Sequence, residues 1–526
     1  MADSPRSTEK FPADTVLVDE EVDAIEGYVI DASLYPEHAA RLKTTNDGKT
    51  VLIPQPSDDP DDPLNWQRRK KYWILAVVTY TAFLADYTSG AGIVVVIPQV
   101  HEWNLAQYTL QHAVVGNLFS LGASGLFAVA FANYFGRLPT LLVFQSIALA
   151  TCAWAAAATN FESYETARIL NGLFESCTQG AGILWIKDMF FFHEHPRLIN
   201  ILEFPVILSP YLGPLLSSFI LYKTKWQWAF WLATCMWALG WILILFTDET
   251  LYDRSTDFRV PRGPLWKRIL GIEQAKGLRN RSFVQAAVRP IIALTKIPVL
   301  LVVIYYFLNF AWVIGVNTTV SIWLTDFYDF NPKNLGMSMS DTLSTSKLIS
   351  AGFFYFFGPT GVFVGWFVGH WIHDAYANFY ARRHNGRIEP EARLALTYLA
   401  TFIMAVALLI LGFAIQHRWH YMVLAVCAAI QCVGIMIATT AVSAYLLDAF
   451  PEGAGEINAW VSIGRAWGGF MATYVQIPWV EKIGSAKAMG IQTAITGAAA
   501  LIIVFLQIYG KRIRIAQGRM VFGKSK

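Results

Sequence analysis

The chain has 526 residues, of which 55% are hydrophobic and 15% charged, with a formal net charge of +3 and a mean hydropathy of +0.40. A net charge this small argues against nucleic acid as a partner, and a composition this apolar argues against most soluble-enzyme readings. The five cysteines, Cys152, Cys177, Cys235, Cys427 and Cys432, all fall in apolar runs. They read as small hydrophobes, with neither disulfide nor zinc spacing.

In chain order, residues 1–71 come first. The first 65 are polar and acidic, without an apolar core segment. They read as a largely disordered cytoplasmic tail and not as a cleaved leader. Twelve apolar stretches follow, each near the roughly 20 residues that cross a bilayer as a helix. They are Tyr72–Pro98, Leu110–Asn133, Thr140–Ala158, Tyr164–Ile186, Leu198–Tyr222 and Trp226–Thr247, then Ile297–Trp323, Thr342–Ile372, Leu394–Ile415, Tyr421–Leu447, Ile457–Val480 and Ala486–Gly510. The fold class expected is an all-α membrane protein, with twelve transmembrane helices in two pseudo-symmetric six-helix bundles. The bundles occupy 72–247 and 297–510, joined by a cytoplasmic linker at 248–296 with surface helices and followed by a basic cytoplasmic tail at 511–526.

Orientation follows from the basic residues. Arg68, Arg69, Lys70 and Lys71 precede the first span, Arg382, Arg383, Arg387 and Arg393 separate spans eight and nine, and Lys511, Arg512, Arg514 and Arg519 follow the last. The positive-inside rule places that side, and with it both termini, in the cytoplasm. A weak internal repeat supports two related halves. Ala132-Asn133-Tyr134-Phe135-Gly136-Arg137 follows the second span, and Ala377-Asn378-Phe379-Tyr380-Ala381-Arg382 follows the eighth.

Ionisable groups at membrane depth are costly, so they face partners or a wet cavity. Asp86 sits mid-span in the first stretch. Arg168 and Glu175 lie seven residues apart on one face of the fourth, and Gln179 extends that face. A carboxyl there holds or releases a proton according to its solvation and its distance from a guanidinium. Asp86, Arg168 and Glu175 are therefore the proton-coupling candidates. The competing reading is a static ion pair between helices, and for Asp86 a cation-binding role. Lys347, Asp448 and Arg465 are further charges; for Asp448 and Arg465 the static ion pair is the stronger reading, and Asp448, near the interface and before Pro451, reads as a cap or latch of helix ends. Gln179, Asn309, Trp312, Asn317, Gln431 and Tyr445 supply polar and aromatic groups for a substrate cavity. Gly361, Gly365 and Gly369, and Gly464 with Gly468, read as helix-packing stripes.

Other motifs are set aside. His370-x-x-His373-Asp374 has one-turn spacing but lies at a helix end, so no metal site is expected there. No phosphate-binding loop or nucleophile elbow occurs. The reading is not an enzyme and calls for no cofactor.

Several segments resemble the major facilitator superfamily. Asn133-Tyr134-Phe135-Gly136-Arg137-Leu138-Pro139 resembles the family's signature loop, with Asn133, Gly136 and Arg137 at its motif positions. It lacks the usual acid–base pair and a second basic residue, which implies a weaker latch between helix ends. Arg168 with Gly172 resembles the buried-arginine motif. Ser209-Pro210-Tyr211-Leu212-Gly213-Pro214 resembles the antiporter motif through Pro210, Gly213 and Pro214, with serine at positions where glycine is usual. Asp62-Pro63-Leu64-Asn65-Trp66, Glu249-Thr250-Leu251-Tyr252-Asp253-Arg254, the Arg383–Glu391 stretch and Tyr509-Gly510-Lys511-Arg512 resemble the fungal twelve-span drug–proton antiporter type, near its polyamine-permease branch. The resemblance implies alternating access around a midplane site. It points to proton-coupled export of a small organic molecule, a drug or fungal metabolite. Proton-coupled import of a polyamine or other organic cation is the alternative, and a non-transporting membrane sensor is the reading from another class. Expected partners are a small-molecule substrate, protons and membrane lipid, with the chain acting as a monomer in the plasma membrane, or in a vacuolar or other endomembrane.

Overall fold

A computed structural model describes residues 28–29, 43, 52–191, 194–252, 283–328, 356–384, 387–518 and 520. Helices dominate it. Seven come from the N-terminal part: α1 (Arg68–Trp103), α2 (Gln107–Phe135), α3 (Arg137–Ala157), α4 (Phe161–Glu175), α5 (Cys177–Met189), α6 (His195–Lys223) and α7 (Gln227–Ile244). Then follow α8 (Phe283–Leu294), α9 (Ile297–Tyr328), α10 (Phe357–Arg383), α11 (Leu396–Gln416), α12 (Tyr421–Ala449), α13 (Ala454–Ile483) and α14 (Ser485–Gln517). Among the described residues, eight helices satisfy the length and apolarity of a membrane crossing on their own. The other four predicted spans correspond to α1, the α4–α5 pair, α10 and α13. Three of these carry the buried polar groups discussed below, and the first part of the predicted eighth span, with Lys347, lies outside the described residues.

Two departures from expectation concern secondary structure. The predicted fourth span is not one helix, because Ser176 (φ −88°, ψ 14°) interrupts it. The chain resumes at once, with Gly180 N–H donating to Ser176 C=O at 3.0 Å. Gly180 then packs on Gly125 of α2 so closely that a side chain on Gly180 would collide with the Gly125 backbone. The described residues also include one small antiparallel ladder, β1 (Tyr28–Val29) with β2 (Arg387–Ile388), paired Tyr28↔Ile388 and Val29↔Arg387.

Part of the tail expected to be disordered is folded onto the membrane domain. Asp62 caps the short 3-10 turn Pro63–Asn65 by accepting from Leu64 N–H. Leu64 is buried, and its carbonyl accepts from the buried Lys71 ammonium at 2.8 Å. Of the five cysteines, Cys235 is exposed while the other four are buried.

Close packing of α1 on α6 depends on glycine. A Cβ on Gly213 would lie 2.5 Å from Tyr87 O and 2.7 Å from Ala91 N, and Gly90 meets Pro214 and Pro210 in the same way. Four of the five stripe glycines act likewise: Gly361 and Gly365 of α10 seat against Ala429 and Val433 of α12, and Gly464 and Gly468 of α13 against Val303 and Phe307 of α9, whereas a Cβ on Gly369 would meet only His373 of its own helix among the described residues. Gly136, at φ 107°, allows the sharp turn from α2 into α3. On the Lys/Arg-rich side α8 bridges the halves. Its Phe283 ring lies 5.4 Å from those of Phe131 and Tyr134 of α2, and its Pro290 carbonyl accepts from Trp460 of α13. Just before α9, Lys296 donates to the carbonyls of Gln517 and Gly518 at the end of α14, and burial holds its pKa below the ordinary lysine value.

Candidate functional site

The site forms where α1, α5, α6, α9 and α13 converge. Arg465 of α13 reaches across from the C-terminal half. Its Nη2 lies 3.2 Å from Asp86 Oδ2 of α1 and donates to Gln179 Oε1 of α5 at 2.5 Å. Gln179 Nε2 in turn donates to Ala82 C=O at 3.1 Å. Asp86, Gln179 and Arg465 are all buried, so this is a desolvated pair, with the Gln179 amide oxygen accepting from the same guanidinium nitrogen. Arg465 thus stands in an ion pair between helices, with its partner in the other half. Position in the sequence could not reveal its partner, which is 379 residues away.

A narrow cavity adjoins the pair. Thr178, Gln179, Glu203, Tyr306, Asn458, Ser462 and Arg465 line it, with Leu202, Val206 and Val461, and leave about 10 Å³ open, room for about one water. Asn458 Nδ2 donates to the carbonyls of Gln179 and Gly180 at 2.7 and 2.9 Å, and Ser462 Oγ to Gln179 C=O at 3.1 Å. Interruption of the helix at Ser176 precedes these carbonyls by one turn, so side chains of α13 hydrogen-bond across the halves to the first turn of α5. The halves are thus closed on one another around the site. Glu203, Tyr306, Asn458 and Ser462 were not among the sequence candidates. Glu203 had a legible signal, a carboxylate inside the predicted fifth span.

Arg168 and Glu175 do not join this cavity. Both are buried within the N-terminal half, and Asn117 of α2 mediates between them. Asn117 Nδ2 donates to Glu175 Oε1 at 3.1 Å and to Arg168 C=O at 2.9 Å, while Asn117 Oδ1 accepts from Arg168 Nη2 at 3.3 Å. The guanidinium also reaches Ser89 C=O at 3.4 Å and lies 5.1 Å from the Phe230 ring centroid. Gly92 leaves it room, since a Cβ there would be 2.8 Å from Nη2. Arg168 Nε and Nη1 and Glu175 Oε2 have no hydrogen-bond partner among the described residues. The two charges share a face as expected, but it is turned into the bundle.

Five of the six cavity candidates lie elsewhere. Asn309 donates to Tyr305 C=O within α9, and its face points toward α11, where Tyr305 Oη and Thr401 Oγ1 are 2.7 Å apart. Trp312 is buried in an apolar cluster that includes Leu408, Leu411, Ala425 and Met489, its ring 6.3 Å from that of Trp479. Gln431 is buried on α12 outside the cavity lining. Tyr445 faces α14, its hydroxyl 3.7 Å from the Cβ position of Gly510. A helix with apolar residues all round does not show from its sequence which face meets the cavity, and α9 and α12 are of that kind. Asn317 joins the halves nearer the opposite side, donating to Pro210 C=O at 3.2 Å.

The signature-like loop forms a latch despite its departures. Arg137 Nε donates to Asp188 Oδ2 at 3.1 Å, and its Nη1 to Ala132 C=O and Asn133 Oδ1. Asn133 Nδ2 donates to Glu456 Oε1 of α13 at 2.9 Å, and Arg289 of α8 also lies 2.6 Å from that oxygen. Glu249 caps α3 by accepting from the Arg137 and Leu138 amides at 2.9 and 3.0 Å. The expected weakening of the latch is thus made good by residues outside the loop. Asp448 pairs with Arg393 at 3.0 Å on the same side of the C-terminal half.

The family model for the Major Facilitator Superfamily matches residues 78–473. The chain belongs to this superfamily. It is a secondary transporter of a small molecule, an integral multi-pass membrane protein and not an enzyme. It is 31% identical to Protein HOL1 of Saccharomyces cerevisiae over 221 residues, covering 41% of this chain and 37% of that one. It is 25% identical to Efflux pump radE of Floropilus chiversii over 470 residues, covering 87% and 83%. In fold it is similar to the proton:xylose symporter XylE, with a TM-score of 0.58 at 14% identity over 84% of this chain and 96% of that one.

Proposed function

We propose that this chain is a proton-coupled exporter of a small organic molecule, working by alternating access. The carrying observation is the Arg465–Asp86–Gln179 bridge between halves, with the Glu203 carboxyl on the same cavity. Opening the halves must separate Arg465 from Asp86. A carboxyl that exchanges a guanidinium for water or substrate changes its proton affinity, which is what coupling requires. Arg168, Asn117 and Glu175 form a second, internal relay that senses the position of α4 against α1 and α2. The similarity to an efflux pump across most of the chain supports the outward direction. The Lys/Arg-rich side, with its Arg137–Asp188 and Asn133–Glu456 contacts, is the cytoplasmic gate.

One observation favours the organic-cation reading. The site holds two carboxyls, Glu203 on the cavity and Asp86 beside it, against one guanidinium, and seven of the ten lining residues carry a polar group. A cationic substrate would neutralise the second carboxyl, and because Asp86 already has Arg465, the ammonium partner would be Glu203.

The test is transport in proteoliposomes under an imposed pH gradient, with candidates drawn from metabolites that differ inside and outside cells with and without the gene. Substrate movement against its gradient, driven by protons moving the opposite way, is the expected result. Uptake alongside protons would replace export by import, and movement indifferent to the pH gradient would remove proton coupling.

A further inference from the structure

The guanidinium of Arg465 is carried by the C-terminal half, yet its polar partners belong to the other. Asp86 Oδ2 of α1 lies 3.2 Å and Gln179 Oε1 of α5 2.5 Å from the same nitrogen, Nη2. A carboxylate oxygen and an amide oxygen meeting one cationic N–H group are the acceptors that recognise a guanidinium or ammonium ligand. The orientation of that amide is set within the N-terminal half, where Gln179 Nε2 donates to Ala82 C=O. From the C-terminal half the Phe310 ring of α9 faces the cation, its centroid 5.9 Å from Arg465 Cζ, a cation–π distance. Tyr306, one turn before Phe310 and 5.4 Å from it ring to ring, lines the adjoining cavity with Glu203, and its hydroxyl is fixed 2.7 Å from Thr439 Oγ1.

Asn458, Ser462 and Arg465 recur at helical spacing on one face of α13, and all three bond to Gln179 or Gly180 of α5. A movement that withdraws this face takes the guanidinium off Asp86 together with the two neutral contacts. We propose that Asp86 and Gln179 form a cation subsite of the guanidinium or ammonium class, with Phe310 and Tyr306 as its facing wall, and that Arg465 is its tethered occupant in the closed chain. A cationic group bound at Asp86 excludes Arg465, so an empty site recloses on its own guanidinium and a loaded one does not. The proposal rests on the organic-cation reading of this site and extends it: Glu203 is the carboxyl open to a cation while the halves are closed, and Asp86 becomes available as Arg465 withdraws.

The test removes the tethered occupant and supplies a free one. Full-length Arg465→Ala in mild detergent is heated with methylguanidinium chloride, with its neutral isostere methylurea, or with sodium chloride, each at about 10 mM, far below denaturing concentrations. Methylguanidinium should raise the midpoint of the monodisperse fraction by about 2 °C or more over sodium chloride, as a ligand well above its dissociation constant does. Methylurea should not. The double variant Arg465→Ala with Asp86→Asn should not respond, and neither should the unmodified chain, whose own arginine has the advantage of an intramolecular contact. Should Arg465→Ala not survive extraction, the same additives go into the extraction buffer, and methylguanidinium alone should restore the monodisperse yield. Equal effects of methylguanidinium and methylurea, an equal response in the double variant or the unmodified chain, or neither a raised midpoint nor a restored yield would each overturn the proposal. Because no transport is measured, such a result strikes the subsite and leaves export standing. Rescue without cation movement in proteoliposomes would instead strike the organic-cation reading alone.

Discussion

Replacing Arg465 with leucine removes a buried cation whose side chain is 6% exposed and leaves Asp86, 10% exposed, facing the cavity without its partner. It also removes the donor to Gln179 Oε1. Breaking a buried pair from one side costs about 3–5 kcal/mol, most of it from the stranded charge and not from the lost attraction. Adding Asp86→Asn takes that charge away. The double variant should then recover roughly 2 kcal/mol of the loss, within the range of coupling found for residues in direct contact. Heating detergent-solubilised protein and following the monodisperse fraction by fluorescence-detected size exclusion gives four midpoints and hence the cycle. Unfolding of a membrane protein of this size is commonly irreversible, so the order and non-additivity of the midpoints are the observables, not an absolute free energy. The single Arg465→Leu variant should be the least stable of the four. If the double variant falls as far as the two single losses combined, Asp86 and Arg465 are not coupled, and the bridge between halves is not what holds the closed form together.

Other perturbations probe the remaining parts. Glu175→Gln should leave the chain folded and abolish pH-gradient-driven accumulation, and Asn117→Leu should do the same because it severs both links of the relay; retained coupling in both would make the Arg168–Asn117–Glu175 set purely structural. Gly213→Val should prevent α1 and α6 from closing and sharply reduce the monodisperse yield, while Gly490→Ala, where a Cβ meets nothing within 4 Å, should be indistinguishable from the parent; equal yields for the two would refute the packing argument. Glu249→Ala should cost about 0.5–2 kcal/mol, the usual loss of a helix N-cap, read as a lowered midpoint; no change would mean that water replaces the cap. Cysteines placed singly at Asp47 and Glu481 in a cysteine-free background should react differently with a membrane-impermeant reagent on intact cells, position 481 labelling and position 47 protected; the reverse pattern would invert the orientation.

Much of this transporter is legible in its sequence because lipid imposes a severe rule: a segment that crosses it must be apolar and must satisfy its own backbone. Length and hydropathy therefore marked the spans, and rare charges such as Asp86, Arg168 and Glu175 stood out against them. The small residues at Gly213, Gly361 and Gly464 were legible for the same reason, since helices in lipid approach closely only where side chains are small. Pairing of those charges was not legible. A helix apolar on every side carries no mark of which face turns inward, so Asn309, Trp312, Asn317, Gln431 and Tyr445 were assigned to a cavity they do not line. Glu203 and Ser462 were overlooked at one they do. Nor could spacing along the chain show that Asp86 meets Arg465 in the other half, that Asn117 stands between Arg168 and Glu175, or that Glu456 supplies the acid missing from the loop around Asn133. Those contacts depend on how each helix is rotated and on how the halves meet, and only the packed tertiary structure determines both.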